Sequence, residues 1–165
     1  MAESFSFDVV SEFDRQELSN ALDQVKRELS QRYDLKDTNS SLDLDKENIV
    51  IITNSELTLN SIVDILRQKA TKRKLSLKIF DFQPPEFISG NKLKQAIRLK
   101  QGLDQEIGKK ISKFLRNEIK KINVSIQGDC LRISSKSKND LQVAIKMLEK
   151  LEEEYNIPLQ ANNYR

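Results

Sequence analysis

The chain of 165 residues has no histidine and no tryptophan, one cysteine, four glycines and three prolines. Each shortage removes a kind of chemistry. Without histidine there is no imidazole acid/base pair, no Ser–His or Cys–His nucleophile and no His-ligated metal. A single cysteine, Cys130, excludes an internal disulfide framework and any CxxC site. The glycines Gly90, Gly102, Gly108 and Gly128 never form GxGxxG or GxxxxGKS/T, so the usual phosphate-cradling loops are missing. Asp43, Asp45 and Glu47 lack the glycine and spacing of a calcium loop and read as surface charge. The longest of the apolar runs, residues 49–52, is far short of the roughly 18–20 residues of a membrane helix. The opening MAESFSFDVV carries Glu3 and Asp8 and lacks the basic-then-apolar order of a secretory signal. The expectation is a cytoplasmic protein with no membrane segment, no catalytic set, no metal and no cofactor.

What the chain does have is charge and periodicity. Hydrophobic residues make up 38% and charged residues 32%, a globular composition, with 28 Lys and Arg against 25 Asp and Glu. The net +3 conceals a contrast: residues 1–88 hold 12 basic and 16 acidic side chains, residues 89–165 hold 16 basic and 9 acidic. The change falls beside Pro84-Pro85, whose rings interrupt regular structure, so the expected division is 1–88 and 89–165.

Each half gives a similar series of periods. Phe5, Phe7 and Val9 alternate with polar residues as in a half-buried strand. Asp14 is placed to cap a helix with the stripe Leu18, Ala21, Leu22, Val25 and Leu29. SLDLDKENIVIIT reads as a hairpin turning at Glu47-Asn48; Leu59, Ile62, Val63, Leu66 and Ala70 mark a second helix; LSLKIFDF reads as a closing strand. In the second half KLKQAIRLK is a strand, and Asp104 caps a helix with Ile107, Ile111, Phe114, Leu115 and Ile119 on one face. A hairpin then turns at Gly128-Asp129, Leu141 to Leu151 gives the last helical stripe, and PLQANNY supplies a final strand. Strand-helix-hairpin-helix-strand, twice, is an α+β fold of tandem ferredoxin-like (βαββαβ) units with antiparallel sheets. A single continuous α+β sheet is the competing reading. The pattern also allows terminal strands to be exchanged between the units.

The sharpest local feature is the strand at residues 92–100. Leu93, Ile97 and Leu99 point one way; Lys92, Lys94, Arg98 and Lys100 point the other. Placed beside the hairpin of the same half, this strand would share the uncovered sheet face with Arg132 and Lys136, and with Gln127 on the neighbouring strand. Such a face suits phosphates: lysine supplies point charge, arginine a bidentate fork, and Gln127 a handle for a base edge or ribose. Strand lysines are also simply the solvated side of a sheet, and no aromatic stacking residue lies on this face. The basic residues Lys109, Lys110, Lys113, Arg116, Lys120 and Lys121 read as the polar side of an amphipathic helix.

Several strings resemble one family. SFDVVSEFDRQEL (residues 6–18), DILRQK (64–69), LKQGL (99–103), IQGD (126–129), DLQ (140–142) and the ending ANNYR look like the YajQ family, in the right order over nearly the whole length. The resemblance implies a small bacterial cytosolic protein of two ferredoxin-like domains that binds nucleotides. Some members bind nucleotides or RNA, and some bind cyclic di-GMP and pass the signal to a regulatory protein partner.

The expectation is therefore a non-catalytic protein. It binds a nucleotide, cyclic di-GMP among them, or a short RNA through Lys92, Lys94, Arg98, Lys100, Gln127, Arg132 and Lys136. The alternative is a protein-interaction adaptor whose acidic and basic halves dock different surfaces. A hydrolase or transferase using paired carboxylates is the third reading, and no spacing singles out such a pair.

Overall fold

The computed structural model describes residues 4–165; Met1, Ala2 and Glu3, the start of the segment read above for a targeting signal, lie outside the described residues. The chain forms two compact units, one of residues 13–100 and one joining residues up to 12 with 101–165.

The unit of residues 13–100 contains α1 (Arg15–Gln31), β2 (Ser41–Asp45), β3 (Asn48–Thr53), α2 (Glu56–Lys72), β4 (Phe80–Phe82), β5 (Glu86–Ile88) and β6 (Lys92–Leu99). Its sheet runs β2-β3-β6-β4, with β5 also paired to β6, and every pairing is antiparallel. Asp14 caps α1 by accepting from the backbone N–H of Gln16 and Glu17, and Ser55 caps α2 through Thr58. All five residues of the expected α1 stripe are buried, against Ile49 and Ile51 of β3 and Leu93 and Ile97 of β6.

The other unit contains β1 (Phe5–Val10), α3 (Gln105–Glu118), β7 (Asn123–Gln127), β8 (Cys130–Ser135), α4 (Lys138–Tyr155) and β9 (Gln160–Asn162). Its sheet runs β7-β8-β1-β9, again antiparallel. Phe7 and Val9 of β1 pack with Ile111 and Leu115 of α3, Leu131 and Ile133 of β8, and Leu148 and Leu151 of α4. The hairpin turns at Gly128-Asp129 as expected, with Gly128 at φ +61°, a value that suits glycine.

Both sheets show the strand arrangement of a ferredoxin-like unit, but each has the other half's first strand at its centre. Strand β1 lies between β8 and β9, and β6 lies between β3 and β4. The compact units accordingly part after residues 12 and 100 rather than at 88. Pro84-Pro85 instead bends the chain between β4 and β5, which both lie along β6. Two smaller expectations are also corrected. The β2–β3 turn is at Lys46-Glu47, where Lys46 takes φ +54°, and Asn48 is already paired with Asp45. In LSLKIFDF, Leu77–Ile79 forms a 3-10 turn and only Phe80–Phe82 is strand.

Exchange changes the charge picture. Counted over residues 13–100 there are 16 basic and 13 acidic side chains; over residues 1–12 with 101–165 there are 12 of each. The acidic-half and basic-half contrast belongs to the linear sequence and not to the folded units.

Candidate functional site

The seven residues singled out from the sequence fall on two sheets. Lys92, Lys94, Arg98 and Lys100 belong to β6 or its end, in the unit of residues 13–100. Gln127, Arg132 and Lys136 belong to the other unit, on or just after β7 and β8. The expected single basic face therefore does not assemble. Alternation along a strand fixes which of its side chains share a face, as it did for β6, but says nothing of which strand lies alongside.

On its own sheet the basic side of β6 meets acids. The ladder sets Asp81 opposite Arg98 and Glu86 opposite Lys94. Asp43 and Asp45 of β2 stand opposite Val50 and Asn48, which in turn stand opposite Ala96 and Arg98. Opposite charges paired across strands stabilise a sheet. This face is consequently of mixed sign. Burial lowers the Lys100 ammonium below its ordinary value, with Asp81 opposing that shift and Lys78 adding to it.

In the other unit Arg132 is engaged by a carboxylate that sequence reasoning did not place. Asp8, on β1, stands opposite Arg132 and is 4% exposed. Arg132 Nε–H donates to Asp8 Oδ1 at 3.1 Å, and Asn163 Nδ2–H donates to Asp8 Oδ2 at 3.0 Å. The Asn163 bond, and after it the Arg132 bond, hold the Asp8 carboxyl below its ordinary value despite burial, which acts the other way. Gln127 Nε2–H donates to Ser125 Oγ at 3.2 Å. Lys136 lies apart from Gln127, in a hydroxyl-rich groove with Lys121, Ser134, Ser135 and Ser137. Burial pushes the Cys130 thiol up, and Asp8 and Asp129 add to that, the opposite of an activated thiolate.

A groove with the make-up of a ligand site lies on the other side of β1. Its volume is about 370 Å³, and it runs between the first turns of α4 and the segment after β9. Its floor is apolar, made by Phe5, Leu141 and Ile145. Lys138 and Gln142 of α4 form the polar rim, with Tyr164 as an aromatic wall and the paired backbones of Ser6 and Arg165 along the edge. The Tyr164 ring stacks on Phe7, with centroids 6.1 Å apart and planes at 28°, yet the residue is 63% exposed. Lys138 Nζ lies 4.8 Å from the centre of the Phe5 ring, a cation–π distance. An apolar floor with a few placed polar groups is the ordinary make-up of a small-molecule site, and the volume lies in the usual range of about 300–1,000 Å³.

Sequence reasoning missed this groove because its walls are far apart in the chain. Phe5 and Tyr164 meet only because β1 lies between β8 and β9. The strings DLQ and NYR were visible, and Gln142, Tyr164 and Arg165 are among their residues, but nothing local says that they face one another. Among the described residues no helix is long and apolar enough to cross a membrane.

Comparison with known proteins places this geometry in context. A family model described as "Nucleotide-binding protein YajQ-like" matches residues 5–165. The chain is 75% identical over 165 residues to a protein named as a nucleotide-binding protein from Prochlorococcus marinus subsp. pastoris, the match covering 100% of both chains. It is likewise 75% identical, over 100% of both chains, to a similarly named protein of Prochlorococcus marinus strain MIT 9515. A third such protein, from strain MIT 9211, is 60% identical over the same length. These names describe binding, and none of them a reaction.

Proposed function

The chain belongs to the YajQ family, and on that premise we propose that it is a non-catalytic nucleotide-binding protein whose ligand occupies the groove between α4 and the segment after β9. The observation that carries this reading is the exposed Tyr164 ring beside the Lys138 ammonium over an apolar floor. A base stacks on the ring face turned away from Phe7, and Lys138 meets the phosphates. Gln142 offers an amide that both donates and accepts, which suits the edge of a base. The phosphate end lies at the start of an 18-residue helix, where the backbone dipole favours an anion. A single exposed ring and a single rim cation offer a place for one base and its phosphates, which favours a mononucleotide over cyclic di-GMP or RNA.

Calorimetric titration with ATP, GTP, cyclic di-GMP and a short single-stranded RNA, at two salt concentrations, tests the proposal. A mononucleotide is expected to bind saturably with modest salt dependence. Tyr164→Ala and Lys138→Glu each weaken it about tenfold or more, since stacking on an aromatic is worth roughly 1–3 kcal/mol. Arg98→Glu leaves the affinity within a factor of two. Loss of binding in Arg98→Glu with none in Tyr164→Ala would move the site to the β6 face. Binding of RNA alone, collapsing steeply with salt, would replace the groove with a phosphate-tracking surface. No binding of any of the four would leave the protein-interaction adaptor as the reading to pursue.

A further inference from the structure

We infer that Asp8 is a positioning residue for the groove: by holding Asn163 in a one-residue bulge, it decides which face of the sheet Tyr164 occupies. The inference rests on the groove reading above and names what sets that site's geometry. It begins with register. Strand β9 pairs with β1 so that Asp8 stands opposite Asn162 and Val10 opposite Gln160. Continued without a break, the same register would set Ser6 opposite Tyr164. The backbone instead pairs Ser6 with Arg165, by N–H···O contacts of 3.1 and 2.9 Å in the two directions. One residue is therefore extra on this edge strand, which is the definition of a β-bulge.

The consequence follows from the period of two. Asn162 shares the open face with Asp8, so unbroken alternation would bring Tyr164 to that open face as well. The bulge moves Tyr164 to the helix-covered side, where its ring stacks on Phe7, a residue of the core. Only there can it wall the groove beside α4.

Asn163 is the bulged residue. Its backbone takes φ +54°, the left-handed conformation that asparagine tolerates better than most residues. Two side-chain bonds hold it. Its Nδ2–H donates to Asp8 Oδ2 at 3.0 Å, and its backbone N–H donates to Asn162 Oδ1 at 3.0 Å. Asp8 is itself fixed by Arg132 through its other oxygen. A carboxylate this buried keeps both donors, because losing one leaves buried charge unsatisfied. The chain Arg132–Asp8–Asn163 thus acts on the opposite face of the sheet from the groove, and reaches it by setting the register of the strand that carries Tyr164.

The test compares wild type, Asp8→Asn and Asn163→Ala in the full chain, by nuclear Overhauser contacts between the Phe7 and Tyr164 rings and by calorimetric affinity for ATP. Both variants are expected to unfold cooperatively, to lose the Phe7–Tyr164 contact, to gain a contact between Tyr164 and Ser6 or Asn162, and to bind ATP at least tenfold more weakly. A Phe7–Tyr164 contact that persists in Asn163→Ala overturns the inference, as does full affinity once that contact is gone. Should Asp8→Asn fail to fold, Asn163→Ala decides alone, since it leaves the Asp8–Arg132 pair intact. If wild type binds no ATP the groove reading fails by itself, while the ring contacts still decide whether Asp8 and Asn163 set the position of Tyr164.

Discussion

At the scale of single residues, the chain's chemistry turns on what each charge has for a neighbour. Arg132, expected to contact a ligand, directs its Nε–H at Asp8 and keeps about a third of its side chain exposed. Asp8 is held below its ordinary carboxylate value by Asn163 first and Arg132 second, so the folded state binds its proton less readily than the unfolded chain does. A depressed carboxylate contributes stability that is present above the unfolded value and lost as pH falls through the folded one. Wild type is therefore expected to exceed Asp8→Asn by roughly 1.5–3 kcal/mol at neutral pH, the usual worth of hydrogen bonds to a buried charge. That advantage shrinks as the solution is acidified past the ordinary carboxylate value. Urea unfolding of both proteins from neutral pH downward measures it, and a difference that stays constant into the acid range would contradict it. None of this was legible locally: Asp8 stood in a quoted string, but its partners are Arg132 and Asn163, at the other end of the chain.

At the scale of elements, the helices and most strands were legible because their periods are local. The α1 stripe, the Asp14 and Asp104 caps and the Gly128-Asp129 turn all lie where the spacing put them. Failures came where a short apolar run has two outcomes, as in LSLKIFDF, where Leu77–Ile79 forms a 3-10 turn capped by Ser76 and only Phe80–Phe82 is strand. Partner choice was the larger gap. The halves are alike in pattern, so β1 and β6 each have two central positions they could fill, and only the folded ladders distinguish them. Phe7 and Val9 of β1 are fully buried in the unit of residues 101–165, and burying such a side chain is worth roughly 1.5–3 kcal/mol. A fragment of residues 89–165, cut at the boundary suggested by the prolines, lacks that strand and carries β6, which belongs to the other sheet. It is expected to show no cooperative thermal transition by circular dichroism. Fusing residues 4–12 to a fragment starting at 101 restores one. A sharp transition in the 89–165 fragment alone would contradict the exchange.

At the scale of the whole molecule, the exchange removes the argument from charge. The linear halves differ strongly in sign, whereas the folded units carry a net +3 and zero. A reading that rests on an acidic half and a basic half, whether for phosphate binding or for an adaptor, loses its premise once β1 and β6 change places. What remains is a groove of about 370 Å³ whose apolar floor, aromatic wall and rim cation Lys138 come from β1, the end of the chain and α4. The family supplies the expectation of a nucleotide, and this groove is the place we propose for one. The most direct check is an amide chemical-shift map of the full chain titrated with ATP. The account predicts that the largest changes fall on Phe5, Ser6, Lys138, Gln142, Tyr164 and Arg165, with residues 92–100 unmoved. Changes centred on Lys94, Arg98 and Lys100, with Tyr164 and Lys138 unmoved, would contradict it.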